Sequence, residues 1–299
     1  MKKKLFGDKG LLTPYLYLLP HAVFFTIFGF YPVFKGLWIS LHRWDVLSGE
    51  KSFVGFKNYI DIFLRRNVPA QYYWEALWNT IQFVIYSVPL LVGIALILAL
   101  LINSVKKGKG FFRTVFFLPT ALTVSVVAVI WRWIFNYESG LLNYILYSLF
   151  KIKNIPWLTQ QPYAWISIVV TTIWWTVGWN MIYFIIGLQN IPEELYEAAK
   201  IDGASWWQTF RYITLPSLKP ITLYIFVTTV IASFNLFGQP QLMTGGGPGR
   251  STVTVMLHIY NEGFGTNLRM GSASAMAYLT ALIMIIVTFI QVRFFTHSE

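Results

Sequence analysis

The sequence of 299 residues contains no cysteine and few charged residues. Without cysteine, the chain has no disulfide framework, no thiolate metal site and no cysteine nucleophile. Charged residues make up 12% of the sequence, roughly half of the share that is usual in soluble domains. Apolar residues make up 56% and are gathered in long runs that a globular core does not need. The composition therefore excludes an ordinary soluble enzyme and indicates an integral membrane protein.

Six apolar segments are long enough to cross a bilayer as helices. A hydrocarbon core of roughly 30 Å requires about 20 apolar residues in a helix, in which every backbone amide is satisfied internally. Pro89 and Pro119 lie inside two of the segments, where we expect a kink rather than a break. The sequence predicts an all-α, polytopic membrane protein with a short N-terminal segment, 1–14, and one domain, 15–299. The predicted spans are 15–41, 77–102, 111–135, 163–188, 220–237 and 271–295.

Acidic residues are absent from all six predicted spans. A proton- or sodium-coupled carrier usually has buried carboxylates or ion sites at broken helices, so an autonomous secondary transporter or channel is the disfavoured alternative. The four histidines are scattered without paired helical spacing, which predicts no metal site. We also expect no catalytic residue and no cofactor in this chain.

Lysine and arginine are distributed unevenly between alternate loops. The net charge is +11, and the basic residues are about twice as dense in one set of loops as in the other. Such an excess marks cytoplasmic loops, and contact with nucleic acid is the weaker interpretation. The distribution places both termini and the loop 189–219 in the cytoplasm. It places 43–74 and 238–270 outside.

The loop 189–219 has the pattern of two short amphipathic helices. Pro192 suits the start of the first helix, and Gly203 is expected to end it. Ser205 and Gln208 form a capping-box pattern that starts the second helix, which Leu215-Pro216 is expected to end. From physical chemistry alone, a helical hairpin that lies on lipid headgroups remains the alternative to a docking site for another protein.

The residues of this loop follow the pattern E-A-A-x₃-G-x₉-I-x-L-P, which resembles the EAA loop of binding-protein-dependent ABC import permeases. Two further segments, 54–59 (Val-Gly-Phe-Lys-Asn-Tyr) and 243–248 (Met-Thr-Gly-Gly-Gly-Pro), resemble carbohydrate-uptake permeases. The second of these segments is typical of the first of their two permease types, like the maltose and glycerol-phosphate importers. The resemblance covers nearly the whole chain. The matching positions of the loop are Glu197-Ala198-Ala199, Gly203 and Ile213-Thr214-Leu215-Pro216.

This resemblance implies a type I ABC importer permease fold and a non-enzymatic subunit in the cell membrane of a prokaryote. The implied partners are a second, homologous permease, two ATPase subunits that bind ATP and Mg, an extracytoplasmic solute-binding protein and membrane lipid. The implied cargo is a sugar or oligosaccharide, with glycerol-phosphate or a polyol as the alternative. The implied ATPase-coupling residues are Glu197, Ala198, Ala199, Asp202, Gly203, Ala204, Trp207, Leu215 and Pro216, and the implied binding-protein contacts are Gly245, Gly246, Gly247 and Pro248.

Polar and aromatic residues recur at helical spacing in the fourth and fifth predicted spans. Spacings of three, four and seven residues place side chains on one stripe of a helix. Indole faces stack on the C–H surfaces of sugars, and hydroxyls supply hydrogen bonds. Packing between helices is the alternative role for such residues, and it remains open. The candidate path residues are Thr172, Trp175, Thr176, Trp179, Thr229, Ser233 and Leu236.

Overall fold

The computed structural model describes residues 9–265 and 268–296, with side chains described for 15–265 and 268–294. The predicted N-terminal segment 1–14 and the C-terminal residues 295–299 therefore lie outside the described side chains. The chain divides into two compact units, Met1–Ala70 with Ile259–Leu279, and Gln71–His258 with Thr280–Glu299.

The first unit begins with a long helical segment and continues into a small hairpin. Residues Tyr15–Ser40 form one apolar helical segment, which passes through a π turn at Thr26–Phe30. The hairpin strands are antiparallel, with His42 opposite Phe53. The elements are α1 (Lys9–Phe25), α2 (Tyr31–Ser40), β1 (His42–Trp44), β2 (Lys51–Phe53) and α3 (Lys57–Phe63).

Helices account for nearly all of the second unit, and three of them also contribute residues to the first. Its core cluster joins the middle of three of these helices through residues such as Leu91, Met181 and Ile225. The elements are α4 (Val68–Ser104), α5 (Lys109–Phe117), α6 (Val124–Ile134), α7 (Leu141–Phe150), α8 (Tyr163–Gln189), α9 (Glu193–Ile201), α10 (Trp206–Thr209), α11 (Leu215–Ser217), α12 (Lys219–Phe234), α13 (Val255–Phe264) and α14 (Met270–Thr296).

The predicted all-α membrane fold is confirmed. Four helical segments of the described chain are long and apolar enough to cross a membrane, and two bent helix pairs raise the number to six. The four segments are Tyr15–Ser40, Val68–Ser104, Tyr163–Gln189 and Met270–Phe294. The bent pairs are Lys109–Ala121 with Val124–Ile134, at 99°, and Trp206–Ser217 with Lys219–Phe234, at 63°.

The third predicted span is broken at Pro119, so the expectation of a simple kink was wrong there. A 3-10 turn over Leu118–Ala121 is followed by extended backbone at Leu122 and Thr123. The carbonyl of Leu122 accepts a hydrogen bond from the indole of Trp175 at 3.1 Å. A tertiary donor thus satisfies a backbone group that the break frees, which is what a membrane protein requires. At Pro89 the helix is not broken, as expected, because α4 continues through it.

Leu215-Pro216 was expected to end the second loop helix, which ends one residue beyond Pro216, at Ser217, before the 63° bend into α12. Helical structure continues through Leu215–Ser217. A π turn at Phe210–Thr214 precedes the proline and widens the helix in the turn where a proline ring would otherwise clash with a carbonyl.

Hydropathy alone misses the polar ends of several elements. Helix α4 begins at Val68, nine residues before the predicted start at 77, because its first turns carry polar residues such as Gln71 and Glu75. The predicted loop 238–270 contains α13. Apolar length identifies the part of a helix that lies in lipid and not the part that extends beyond it.

Gly178 allows the end of α5 to lie directly against α8. A Cβ atom at this position would lie 2.5 Å from the carbonyl oxygen of Phe116 and 2.9 Å from the Cα of Phe117. Both neighbours are backbone atoms, which cannot move aside without shifting the broken pair of helices.

We therefore expect Gly178→Ala to destabilise the protein by about 1–3 kcal/mol, the cost of overpacking a close contact. Gly93→Ala is the matched control, since a Cβ atom at Gly93 in α4 has no atom within 4 Å. Thermal unfolding in detergent measures both effects. Equal unfolding temperatures for the two variants would contradict the close contact between Gly178 and the end of α5.

Candidate functional site

A cavity of about 520 Å³ lies along α8 and α12 in the second unit. All seven candidate path residues line it, so the structure brings together residues from two spans that the sequence could only place separately. Residues of α4, the first residue of α6 and the segment after α12 complete the wall. The lining residues are Phe83, Leu91, Val124, Thr172, Trp175, Thr176, Trp179, Asn180, Tyr183, Tyr224, Thr228, Thr229, Ala232, Ser233, Asn235, Leu236, Phe237, Gly238 and Gln239.

Six polar residues of this wall are not among the candidate path residues: Asn180, Tyr183, Tyr224, Thr228, Asn235 and Gln239. On α8, Asn180 follows Thr176 by four residues and Tyr183 follows Trp179 by four residues, so the same helical spacing could have identified both. Gln239 lies beyond the predicted end of the fifth span at 237. No periodic signal pointed to Gln239, because it follows the end of its helix.

Two buried amide groups connect different parts of the wall. The Nδ2 of Asn180 donates to the Oγ1 of Thr229 at 3.0 Å and links α8 to α12. The Nε2 of Gln239 donates to the Oγ1 of Thr172 at 3.3 Å and links the segment after α12 to α8. All four residues are less than 10% exposed. These bonds hold the two predicted stripes against each other.

The two candidate threonines of α8, Thr172 and Thr176, donate their hydroxyl protons within their own helix. Thr172 donates to the carbonyl of Ile168 at 2.8 Å, and Thr176 donates to the carbonyl of Thr172 at 2.7 Å. A hydroxyl retains acceptor lone pairs after it has donated. These two threonines can therefore accept hydrogen bonds from a bound molecule. The sequence predicted hydroxyl partners in general and did not separate donors from acceptors.

The two tryptophans of the stripe have different environments. Trp175 donates its indole N–H to the carbonyl of Leu122, so it supports the helix break. Trp179 is 51% exposed and packs edge-on against Phe117, with ring centroids 4.9 Å apart. Trp179 is therefore the tryptophan that presents an open ring surface to the cavity.

The loop 189–219 forms the expected helix, glycine and helix. Gly203 has φ +72°, a left-handed conformation that suits glycine, and its N–H donates to the carbonyl of Lys200. The capping box is confirmed, because Ser205 Oγ accepts from Gln208 N at 3.3 Å and Gln208 Oε1 accepts from Ser205 N at 2.7 Å. Tyr196 and Thr214 join the two halves through a 3.0 Å hydroxyl contact.

Large apolar side chains are exposed on this loop. Ile201 is 86% exposed, Trp206 is 72% exposed and Tyr212 is 75% exposed. None of these three is among the predicted coupling residues. Among those predicted residues, Ala199 is buried, Ala204 and Leu215 are half-buried, and the others are exposed. The exposed members are Glu197, Ala198, Asp202, Gly203, Trp207 and Pro216.

The glycine run forms a hydrogen-bonded turn after α12. Gly245 and Gly246 have φ of +61° and +85°, and a Cβ atom at Gly246 would lie 2.6 Å from Val253. The Oγ1 of Thr252 donates to the carbonyl of Gly247 at 2.7 Å. Gly245 is exposed, Gly246 is buried, and Gly247 and Pro248 are half-buried.

Comparison with known proteins connects this architecture to a family. Residues 76–297 match the model of the binding-protein-dependent transport system inner membrane component. The chain belongs to this family. It is therefore a membrane transport subunit rather than an enzyme, as the EAA pattern predicted.

Relatives of the permease match it over nearly their full length. A probable ABC transporter permease protein of Bacillus subtilis is 36% identical over 96% of this chain and 97% of its own. An sn-glycerol-3-phosphate transport system permease protein of Agrobacterium fabrum is 34% identical over 98% of this chain and 97% of its own. A trehalose/maltose transport system permease protein of Thermococcus litoralis is 35% identical over 93% of this chain and 92% of its own.

A solved structure shows the same fold. A bacterial alginate ABC transporter, in complex with an alginate pentasaccharide-bound periplasmic protein, superposes on the permease with a TM-score of 0.82 at 23% identity. The match covers 97% of the permease and 96% of that chain. The predicted ABC importer permease fold is thereby confirmed.

Proposed function

We propose that the permease is a subunit of an ATP-driven importer and that the cavity is its part of the path for a sugar or oligosaccharide. The observation that carries the proposal is the convergence of open aromatic surface at Trp179 with the amides of Asn180 and Gln239 in one cavity. Ring faces suit the C–H surfaces of a sugar, and amides suit its hydroxyls. Relatives that are named for trehalose/maltose and for arabinooligosaccharides support this cargo.

A second candidate cargo is glycerol-phosphate or a polyol. Relatives named for sn-glycerol-3-phosphate transport support it. An autonomous secondary transporter was the alternative from another class, and both the family match and the absence of acidic residues from the predicted spans argue against it.

Two separate ATPase subunits, which bind ATP and Mg, are proposed to dock on the loop 189–219. Exposed apolar side chains such as Ile201 and Trp206 lie near the carboxylates of Glu197 and Asp202 in sequence, a combination that suits an apolar contact rimmed by ion pairs to basic residues. A short hydrogen-bonded helix pair transmits a displacement as a lever. Closure of the ATPases would then move α12, which directly follows the loop.

A second, homologous permease is proposed to cover part of the exposed apolar surface, with membrane lipid covering the rest. No residue in the apolar window of Tyr15–Ser40 is buried within the chain. Phe28 is 73% exposed and Phe34 is 65% exposed. Such side chains require an apolar neighbour, which a bilayer or another permease helix supplies.

An extracytoplasmic solute-binding protein is proposed to contact the turn that contains Gly245, Gly246, Gly247 and Pro248. The family is defined by dependence on such a protein. The distribution of lysine and arginine supports this proposal, because it predicts that this turn lies outside and that both termini lie in the cytoplasm.

The topology predicts opposite reactivity for two introduced cysteines. Ser52 in β2 and Lys107 between α4 and α5 are both exposed, and the chain has no cysteine of its own. In intact cells an impermeant thiol reagent should label Ser52→Cys and leave Lys107→Cys unlabelled until the membrane is permeabilised. The reverse labelling pattern would overturn the topology.

Transport by the complete complex tests the proposed function. In proteoliposomes with internal ATP, the solute-binding protein should stimulate ATP hydrolysis and a sugar should accumulate. Accumulation by the permease alone, without ATPase subunits, would instead identify an autonomous carrier.

A further inference from the structure

We infer that α7 (Leu141–Phe150) is a membrane-surface anchor. Its apolar face lies in the interface of the bilayer, and Lys151 and Lys153 bind the phosphates of phospholipid headgroups. The inference goes beyond the proposed function, because it concerns the helix between α6 and α8 and holds for any cargo.

The first observation is that the exposed face of α7 is apolar. Four large side chains lie on this face, at spacings of three, four and eight residues from the first of them: Leu141, Tyr144, Ile145 and Leu149. A helix in water normally exposes its polar face, whereas the one buried residue of α7 is the polar Asn143. With 10 residues, α7 is too short to cross a bilayer. A short apolar helix that a protein core does not cover is typical of an interfacial segment.

The second observation is that Asn143 holds α7 in one orientation. Its Nδ2 donates to the carbonyls of Tyr137 at 3.1 Å and Ile155 at 3.0 Å. Its Oδ1 accepts from the indole N–H of Trp157 at 2.8 Å. These bonds direct the polar side of α7 into the protein, so the opposite, apolar side is held toward the outside.

The third observation connects this face with a membrane span. On α6, which is part of a broken span, an exposed apolar stripe runs through Val126, Val129 and Trp133 at spacings of three and seven residues. Trp133 lines a pocket of about 310 Å³ together with Tyr144 and Tyr147 of α7. The apolar surface of the span therefore continues onto α7 through aromatic residues of the types that are enriched at membrane interfaces.

The fourth observation is the charge that follows α7. Lys151 and Lys153 are exposed, and neither makes an ion pair with a residue in the described part of the chain. The Nζ of Lys151 lies 5.2 Å from the ring centroid of Tyr147, so this amine lies beside an aromatic ring of α7. The segment 135–162 contains one acidic residue, Glu138, and is therefore positive overall.

These charges suit lipid phosphates, which attract lysines that lie at a membrane surface. A protein partner could also match the two lysines. It would not require an apolar face that continues the surface of a membrane span, so the observations favour lipid.

Spin labels on single introduced cysteines test the inference, because the chain has no cysteine of its own. The variants are Ser148→Cys and Leu149→Cys on the exposed face of α7, and Ser52→Cys in β2 is the exposed control. The labelled permease is assembled with cysteine-free partner subunits in vesicles of phosphatidylethanolamine and phosphatidylglycerol. Power saturation then compares collisions of each label with oxygen, which concentrates in lipid, and with a nickel chelate, which stays in water.

We expect both α7 labels to lie about 5–10 Å inside the headgroup boundary, with a higher ratio of oxygen to nickel collisions than the label at Ser52. Labels on α7 that collide with the nickel chelate as often as the label at Ser52 does would overturn the inference. Labels that are shielded from both reagents, or that become shielded only when the solute-binding protein is added, would also overturn it, because they indicate a protein partner.

The role of the lysines has its own variants. Lys151→Glu with Lys153→Glu should lower the ratio of oxygen to nickel collisions at Ser148→Cys, whereas Lys151→Arg with Lys153→Arg should leave it unchanged, because arginine keeps the positive charge. An unchanged ratio in the glutamate variant would overturn the assignment of phosphate binding to these lysines. None of these measurements requires uptake of a sugar, so failure of the proposed function would be seen separately, in the transport assay.

Discussion

Replacing Gly203 by proline should abolish ATP-driven uptake while leaving the permease inserted in the membrane. Gly203 has φ +72°, whereas proline fixes φ near −65°, so the turn between the two loop helices cannot form with proline. Proline also removes the N–H that donates to the carbonyl of Lys200 at 3.1 Å. The exposed side chains on the two helices would then no longer share one docking surface.

Gly203→Asn is the matched control for this variant. A Cβ atom at position 203 has no atom within 4 Å, and asparagine tolerates the left-handed conformation better than other side chains. We expect the asparagine variant to retain most of the uptake and to co-purify with ATPase subunits. Co-purification and normal uptake in the proline variant would contradict the role of the turn in coupling.

Replacing Trp179 by leucine should lower uptake by roughly 5- to 30-fold, which corresponds to about 1–2 kcal/mol. Trp179 presents the open indole surface in the cavity, and leucine keeps an apolar side chain while removing most of the flat ring area. The loop 189–219 is unchanged, so ATPase subunits should still assemble and the binding protein should still stimulate ATP hydrolysis.

Trp174→Leu serves as the control for the loss of a tryptophan. Trp174 lies on the same helix, is 38% exposed and packs edge-on against Trp131, and it does not line the cavity. Uptake by the Trp174 variant should stay close to that of the parent protein. Equal effects in the two variants would indicate that Trp179 only packs.

The membrane helices were predictable because apolar length and helical spacing are local properties of the sequence. The stripe from Thr172 to Trp179 could be placed on one face of α8 by spacing alone. The break after Pro119 could not be predicted in this way, because the freed carbonyl of Leu122 obtains its hydrogen bond from the indole of Trp175, 53 residues later in the chain. Tertiary partners of this kind leave no periodic signal.

The helix, glycine and helix of the loop 189–219 were predicted correctly, but the exposure of its individual residues was not predicted. The left-handed glycine and the capping box are local features, so Gly203 and Ser205 were assigned correctly. Burial depends on neighbours in space, so the sequence could not separate the buried Ala199 from the exposed Ile201. Gln239 was missed for the same reason, since its partner Thr172 is 67 residues away.

The most direct measurement of the central claim, that the cavity is part of the sugar path, is the alkylation of a single cysteine at Ala232. Ala232 is exposed and lines the cavity, and the absence of native cysteine makes the reaction specific. Val170→Cys is the control, because Val170 is 41% exposed on α8 and lies outside the cavity wall.

After treatment with N-ethylmaleimide, the Ala232→Cys transporter should lose sugar uptake and keep its ATPase subunits, and added sugar should slow the labelling. The alkylated Val170→Cys transporter should keep its uptake. Full uptake by a completely alkylated Ala232→Cys transporter, with a labelling rate that sugar does not change, would contradict the claim.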